Sequence, residues 1–339
     1  MTGRGVDDSV VFYTAMKPIF RLLLGCICGT ALFAATPVFA VTVPDLYEVT
    51  LPADNGRDTA FVDALKAVAV RVSGQRDAGS RLGGATANPR QYVQRFGVTA
   101  DNLLQVGFDG TAIDRLLNDV GLPIWGRERP ATLVLLTVEA SDGSARWIDS
   151  RTATAERDLV ARAARQRGLP LVWPESDAGL TTSIAPADLL QLATSYNANA
   201  TLFGKARPDG AGGYTVRWSL VSQDGANEVN GALEEGVNLA ADTFARVYAA
   251  SGTSLDNVVV EVSGINNLNA YASTLNYLEA MTLVRAVSVE NLMGETLRFK
   301  LAVRGDVATL RRALALDNRL VPLAQGEGAT DRLQLRYQP

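Results

Sequence analysis

Histidine is absent from all 339 residues, and cysteine occurs only at Cys26 and Cys28. Without imidazole there are no His-based triads, Cys–His pairs or the usual zinc and iron sites. Both cysteines lie in an apolar run near the amino terminus, so the chain from Val41 onward has no thiol and closes no disulfide. A metal would need oxygen ligands alone, and no loop has the acidic spacing of an EF-hand. Lysine is nearly as scarce: beyond residue 40 only Lys66, Lys205 and Lys300 occur, and the other cations are arginine. That bias reads as background composition first, with phosphate or carboxylate recognition second. A formal charge of -4 excludes the basic excess that a nucleic-acid binder needs. Ser141, Ser144, Ser263 and Ser273 lie in no G-x-S-x-G elbow. Accordingly no catalytic residue, cofactor-binding residue or metal ligand is assigned, and no cofactor is expected.

What is present begins with an export signal. From Met16 the chain reads MKPIFRLLLGCICGTALFAATPVFA, with Lys17 and Arg21 as a positive region, Leu22 to Phe33 as an apolar core and Val38-Phe39-Ala40 as a small-residue cleavage site. Residues 1–15 have no such pattern, so the expected start is Met16. Residues 1–40 are therefore a non-native extension plus a signal peptide. If the segment were retained it would anchor the chain in the inner membrane facing the periplasm, since its length approaches the roughly 20 residues of a span. With 47% hydrophobic and 20% charged residues, the remainder can bury substantial cores in two or three domains.

Periodicity divides that remainder into three small modules of α/β and α+β type. Residues 41–130 read as a βαβα unit. Its strands are Leu46–Leu51 and Leu103–Phe108. The first helix is capped by Asp58, with Phe61, Leu65, Val68 and Val72 on one face, and the last is opened by a Thr111/Asp114 capping box. Residues 75–88 read as a mobile loop, with Gly83-Gly84 inside it, and Tyr92, Val93 and Phe96 as a short helix. Residues 131–253 read as parallel βα units followed by an antiparallel pair. Ala131 to Val138, apolar on both faces, is a strand buried on both sides. A helix over 152–167 turns Leu159 and Val160 inward and Arg162, Arg165 and Arg167 outward. Residues 254–339 read as a ferredoxin-like split βαβ domain, with Leu333 to Tyr337 either an added strand or a free tail.

YEVTLP, VAVRVSGQRDA, QYVQRF, LLQVGFDGTAIDRLLNDVGLPIWGRERPATLVLLTVE and RGLPLVWP together resemble the exported proteobacterial proteins of domain of unknown function family 2066. LPIWGRERP is the most specific block. The resemblance implies a compartment and a three-part build, and carries no catalytic residues. In its order of elements the central module resembles the amino-terminal domain of the periplasmic propeller protein of the Tol-Pal system and the penicillin-binding-protein activator lipoproteins.

Between Pro123 and Pro130, Trp125, Arg127 and Arg129 are the candidate partner-binding residues, because Trp and Arg are enriched at binding hot spots. The opposing expectation, which is preferred, is that Trp125 plugs the seam between the first two modules and the arginines pair with local carboxylates. Asp142 with Asp149, and Glu234 with Glu235, are close enough in sequence for paired acid/base work, yet turn and edge positions explain them equally well. The function expected is that of a non-catalytic binding or scaffold protein of the cell envelope. The alternative is a carboxylate-dependent cell-wall hydrolase or other periplasmic enzyme. Partners are expected to be envelope proteins, with no nucleic acid, and membrane only if the signal segment is retained. Amino-terminal sequencing of the exported protein should begin at Val41, and an intact Met16 in the membrane fraction would refute cleavage.

Overall fold

Alternation of apolar residues at a helical period and a strand period over 41–130 builds a three-stranded sheet with helices packed on it. The computed structural model describes residues 41–52, 56–140, 142–175, 184–252, 255–317, 319–323 and 332–338. The signal segment and Ser141 lie outside them. The first module comprises β1 (Val41–Thr42), β2 (Glu48–Pro52), α1 (Arg57–Ser73), α2 (Ala78–Arg81), β3 (Val93–Val98), β4 (Leu103–Phe108), α3 (Gly110–Asp119) and β5 (Glu128–Arg129). Phe61, Leu65, Val68 and Val72 of α1 are buried in one core with Leu104, Val106 and Ile113.

The expected strand, helix, strand, helix order is present as β2, α1, β4 and α3, with β3 added before β4, and the sheet is antiparallel, β2-β4-β3. Residues 93–98, read as a helix from their apolar spacing, pair with β4. Pro89 opens only a single 3-10 turn, and Asn102 at φ 58° closes the β3–β4 hairpin while Thr99 Oγ1 accepts the Leu103 N–H at 3.1 Å. Residues 75–88 are not one loop: they form α2 and a 3-10 turn, Gly83–Ala87, held down by buried Ala78 and Leu82. Helix α1 begins at Arg57, so Asp58 lies inside it and accepts no capping hydrogen bond. The cap of α3 is Asp109, whose carboxylate accepts from Thr111 N and Ala112 N, which leaves Asp114 free to be buried for another purpose.

The central module comprises β6 (Thr132–Glu139), β7 (Ala145–Ile148), α4 (Ala155–Arg167), β8 (Leu171–Val172), α5 (Pro186–Ser195), β9 (Ala200–Pro208), β10 (Tyr214–Ser222), β11 (Gly225–Gly231) and α6 (Leu233–Tyr248). Its sheet runs β11-β10-β9-β6-β7, with β8 on the β7 edge of β6. Strand β6 is parallel to β8 and β9, and the other pairings are antiparallel. Val134, Leu136 and Val138 enter the core with α4 and α6, while Leu133 and Leu135 enter a second core under Leu189 of α5. This explains why the run shows no alternation. On α4 the expected facing is corrected at two positions: Leu159 is exposed and Arg167 is buried.

The third module comprises β12 (Leu255–Ser263), α7 (Leu268–Ala280), β13 (Val284–Met293), β14 (Thr296–Arg304), α8 (Val307–Leu314), β15 (Leu320–Pro322) and β16 (Arg332–Tyr337). In the sheet β13-β14-β12-β16-β15, the parallel pair β12 and β13 flanks β14, which is a split βαβ unit. The tail is a strand: β16 inserts parallel to β12 and antiparallel to β15, burying Leu333 and Leu335. No helix among the described residues is long and apolar enough to cross a membrane.

Because β16 covers an edge of β12 and buries two leucines worth about 1.5–3 kcal/mol each, a chain ending before Arg332 should melt well below the full chain. Calorimetry of the two proteins measures this, and coincident curves would mean that β16 adds nothing.

Candidate functional site

Helices α1 and α4 both end on glycine in the left-handed conformation, Gly74 at φ 71° and Gly168 at φ 63°. Their last carbonyls have no partner within the helix. The chain from Gly121 to Pro130 crosses these two ends and supplies the missing donors from its main chain and from Arg129. The Trp125 main-chain N–H donates to Val72 O at 2.7 Å. Arg129 is fully buried and spends all five of its N–H groups on main-chain carbonyls. Nε donates to Gly126 O at 2.8 Å, Nη1 to Arg167 O at 2.8 Å and Gly168 O at 3.0 Å, and Nη2 to Arg71 O at 2.7 Å and Trp125 O at 2.9 Å. Its guanidinium also lies 3.9 Å from the centre of the Trp125 ring.

The space for this arrangement is made by the same glycines. A Cβ on Gly74 would come within 2.4 Å of Ala245 Cβ and 2.9 Å of Trp125 Cε3, and one on Gly168 within 2.6 Å of Arg129 Nη1. Burial, together with the charges of Arg71 and Arg167, pushes the Arg129 pKa down to about 9, so the group still carries its charge at neutral pH. The partial negative charge at two helix ends favours a cation there.

Two further arginines exchange contacts across the same junction. Arg71, in the last turn of α1, donates to Arg165 O of α4 at 2.6 Å, and Arg167, at the end of α4, donates to Gly74 O at 2.7 Å. Arg167 also pairs with Asp242 at 2.6 Å and bonds Asn238 at 2.8 Å, both on α6. Arg71 reaches back to the carbonyls of Asp45 and Glu48.

The crossing segment touches the third module as well. Ile124 exchanges both main-chain hydrogen bonds, at 2.8 and 2.9 Å, with Ala250, which packs into the third module's core, and Thr282 Oγ1 accepts the Arg127 N–H at 3.1 Å. Nearby, buried Asp114 accepts from Tyr47 OH at 2.7 Å and pairs with Arg285 at 2.6 Å and Arg304 at 3.4 Å. Burial and then the Asp114 charge push the Tyr47 hydroxyl pKa up, so it stays a donor. Burial, reinforced by Arg285, pushes the Arg304 pKa down.

Two clefts flank residues 42–48. One, of about 460 Å³, lies between the first and third modules and is lined by Tyr47, Asp114, Arg127, Thr282 and Arg285. The other, of about 830 Å³, lies between β2 and the carboxyl end of α4.

The structure thus separates the three candidate residues. Trp125 and Arg129 are fully buried, with Trp125 in the central core as the seam expectation holds. Arg127 is exposed at the mouth of the smaller cleft, 5.9 Å from the centre of the Tyr47 ring. Its guanidinium makes no hydrogen bond or ion pair among the described residues. The expectation that the arginines pair with local carboxylates is corrected at both: Arg127 pairs with none among the described residues, and the acceptors of Arg129 are all carbonyls. Both helix-end arginines were visible in sequence as Arg-Val-Ser-Gly and Arg-Gly.

The sequence-adjacent carboxylates serve local structure. Asp142 is hydrogen-bonded by the side chain and N–H of Ser144, and Asp149 by the N–H groups of Thr152 and Arg151, which hold both pKa values below the usual range. Glu234 and Glu235 lie in the first turn of α6, where Glu235 pairs with Arg76.

Residues 40–126 match the family model of a domain of unknown function (DUF8605), which ends one residue after Trp125. That model is distinct from family 2066 and spans less than half the chain. No match was found among curated proteins.

Trp125→Ala should cost on the order of 3–5 kcal/mol, the usual range for emptying a large aromatic site. Arg129→Ala should cost as much, because it strands buried carbonyls at about 1–3 kcal/mol each. Arg129→Lys should recover only part, since an ammonium has three donors and no planar fork. Arg127→Ala should leave the chemical denaturation midpoint within error. An Arg129→Ala midpoint equal to wild type would remove the carbonyl cluster from any role in stability.

Proposed function

We propose that the chain is a non-catalytic binding or scaffold protein of the bacterial cell envelope, exported to the periplasm. It holds three small modules in fixed geometry and presents the cleft between the first and third to another envelope protein. Arg127 carries this reading. It is an exposed arginine with no hydrogen bond or ion pair among the described residues, on a segment that Arg129 and Trp125 make rigid. A pre-ordered arginine suits a binding surface, because little further ordering is required on association. The resemblance of LPIWGRERP and its neighbours to family 2066 supports the compartment. The likeness of the central module to the amino-terminal domain of the Tol-Pal propeller protein supports a scaffold by analogy alone. Membrane attachment enters only if the signal segment is retained.

The hydrolase alternative draws no support from the side chains proposed for it. Asp142 and Asp149 have turn hydrogen bonds and lowered pKa values, whereas a general acid needs a raised one. Glu128 is raised, by burial first, but it accepts the Thr282 N–H at 3.4 Å within the crossing segment.

Capture from envelope extracts with wild type and Arg127→Glu as parallel baits tests the reading. A protein retained by wild type and lost by the variant, with the two baits melting alike, is expected. Equal capture by both baits would take the surface away from Arg127.

A further inference from the structure

The larger cleft has a different character from the one that Arg127 borders. Its floor and walls are mainly apolar, built by Val43, Leu51, Pro52, Leu103, Leu169 and Pro170. At about 830 Å³ it falls in the size range of small-molecule pockets. Arg162 and Arg165 line the α4 end, one helical turn apart and both exposed. Neither guanidinium makes a hydrogen bond or ion pair among the described residues. Arg71 also lines the cleft, and its buried Nε has no partner. Two acidic residues also line it, Glu48, held by Arg95 at 2.5 Å and by Gln105, and the exposed Asp45, and Arg71 joins the main-chain carbonyls of both to that of Arg165.

An apolar trough lined by two exposed arginines that make no hydrogen bond or ion pair among the described residues fits a ligand with an apolar body and one anionic head. We propose that this cleft binds a single-chain amphiphile, an acyl chain ending in a carboxylate, with its head on Arg162 and Arg165 and its chain along Leu51, Leu103 and Pro170. Two guanidinium forks match the planar carboxylate. The helix end itself contributes no attraction, because the carboxyl terminus of α4 carries partial negative charge. The two arginines must therefore supply the anion selectivity. This proposal does not rest on the Arg127 surface, which borders the other cleft.

The test is a fluorescence titration of the full chain with cis-parinaric acid, an eighteen-carbon carboxylate, below its micelle concentration. Saturable uptake of one probe per chain is expected, displaced by dodecanoate and not by acetate. The double variant Arg162→Gln/Arg165→Gln alters only exposed side chains and should melt like wild type while binding at least about tenfold more weakly, a difference of about 1.4 kcal/mol. The methyl ester of the probe should lose a similar factor against wild type. Absence of saturable uptake would overturn the proposal. So would equal affinities of wild type and double variant, or equal affinities for acid and ester. An unaltered result in the Arg127→Glu capture experiment would leave this outcome untouched, so the two readings fail separately.

Discussion

Two helix ends converge on one guanidinium. The carboxyl end of an α-helix carries roughly half a negative charge and four unpaired carbonyls, so placing two such ends together inside a protein is unfavourable unless a donor-rich cation lies between them. Arg129 meets that condition with bonds to Arg71 O, Arg167 O and Gly168 O, and closes its own segment through Gly126 O and Trp125 O. A lysine at this position would leave carbonyls of the cluster without a donor. Once Arg129 is placed, so are β5 against β1, the Trp125 ring in the central core and the Arg127 N–H on Thr282. Gly74 and Gly168 are as necessary as the arginine, since neither helix end could approach if it carried a Cβ.

Periodicity made the cores legible, because burial imposes it directly. The α1 stripe, the doubly buried β6 and the alternation in β14 all follow from which faces lose water. Failures cluster where a residue of one character does the work of another. Arg167 was placed outward because arginine prefers solvent, yet its fork bonds Gly74 O and Asp242 inside. Val93 and Phe96 have helical spacing, but the Thr99–Asn102 turn makes them an edge strand. Asp114 resembled half of a capping box and is instead the acceptor of Tyr47, Arg285 and Arg304, contacts spanning 67 to 190 residues. A sequence window of one or two helical turns holds no trace of such a contact.

The two clefts arise from the same constraint. Residues 42–48 are tied to the crossing segment by β1–β5 pairing and by Val43 N to Arg127 O at 3.0 Å, so they stand as a wall with space on either side. On one side the third module brings Arg285 and Thr282 and makes the space polar. On the other, β2 and the end of α4 bring leucine and proline and make it apolar. Neither space is written in a local motif. Each depends on how the modules meet, which is why the candidate residues named from the sequence included one lining residue, Arg127, and two that hold the wall in place.

The spacing of the Arg129 acceptors also sets an order of events during synthesis. Arg71 precedes Arg129 by 58 residues, and Arg167 and Gly168 follow it by 38 and 39. As the chain emerges from its amino end, α1 can form early, but its terminal carbonyls stay solvated until the crossing segment arrives. The crossing segment in turn stays open until α4 has been made. Closure is a non-local step, and loop entropy must be overcome before its contacts form. The stretch that matches DUF8605 stops at Gly126, before the arginine and both of its later acceptors. The matched stretch thus holds the end of α1 and lacks the guanidinium that caps it.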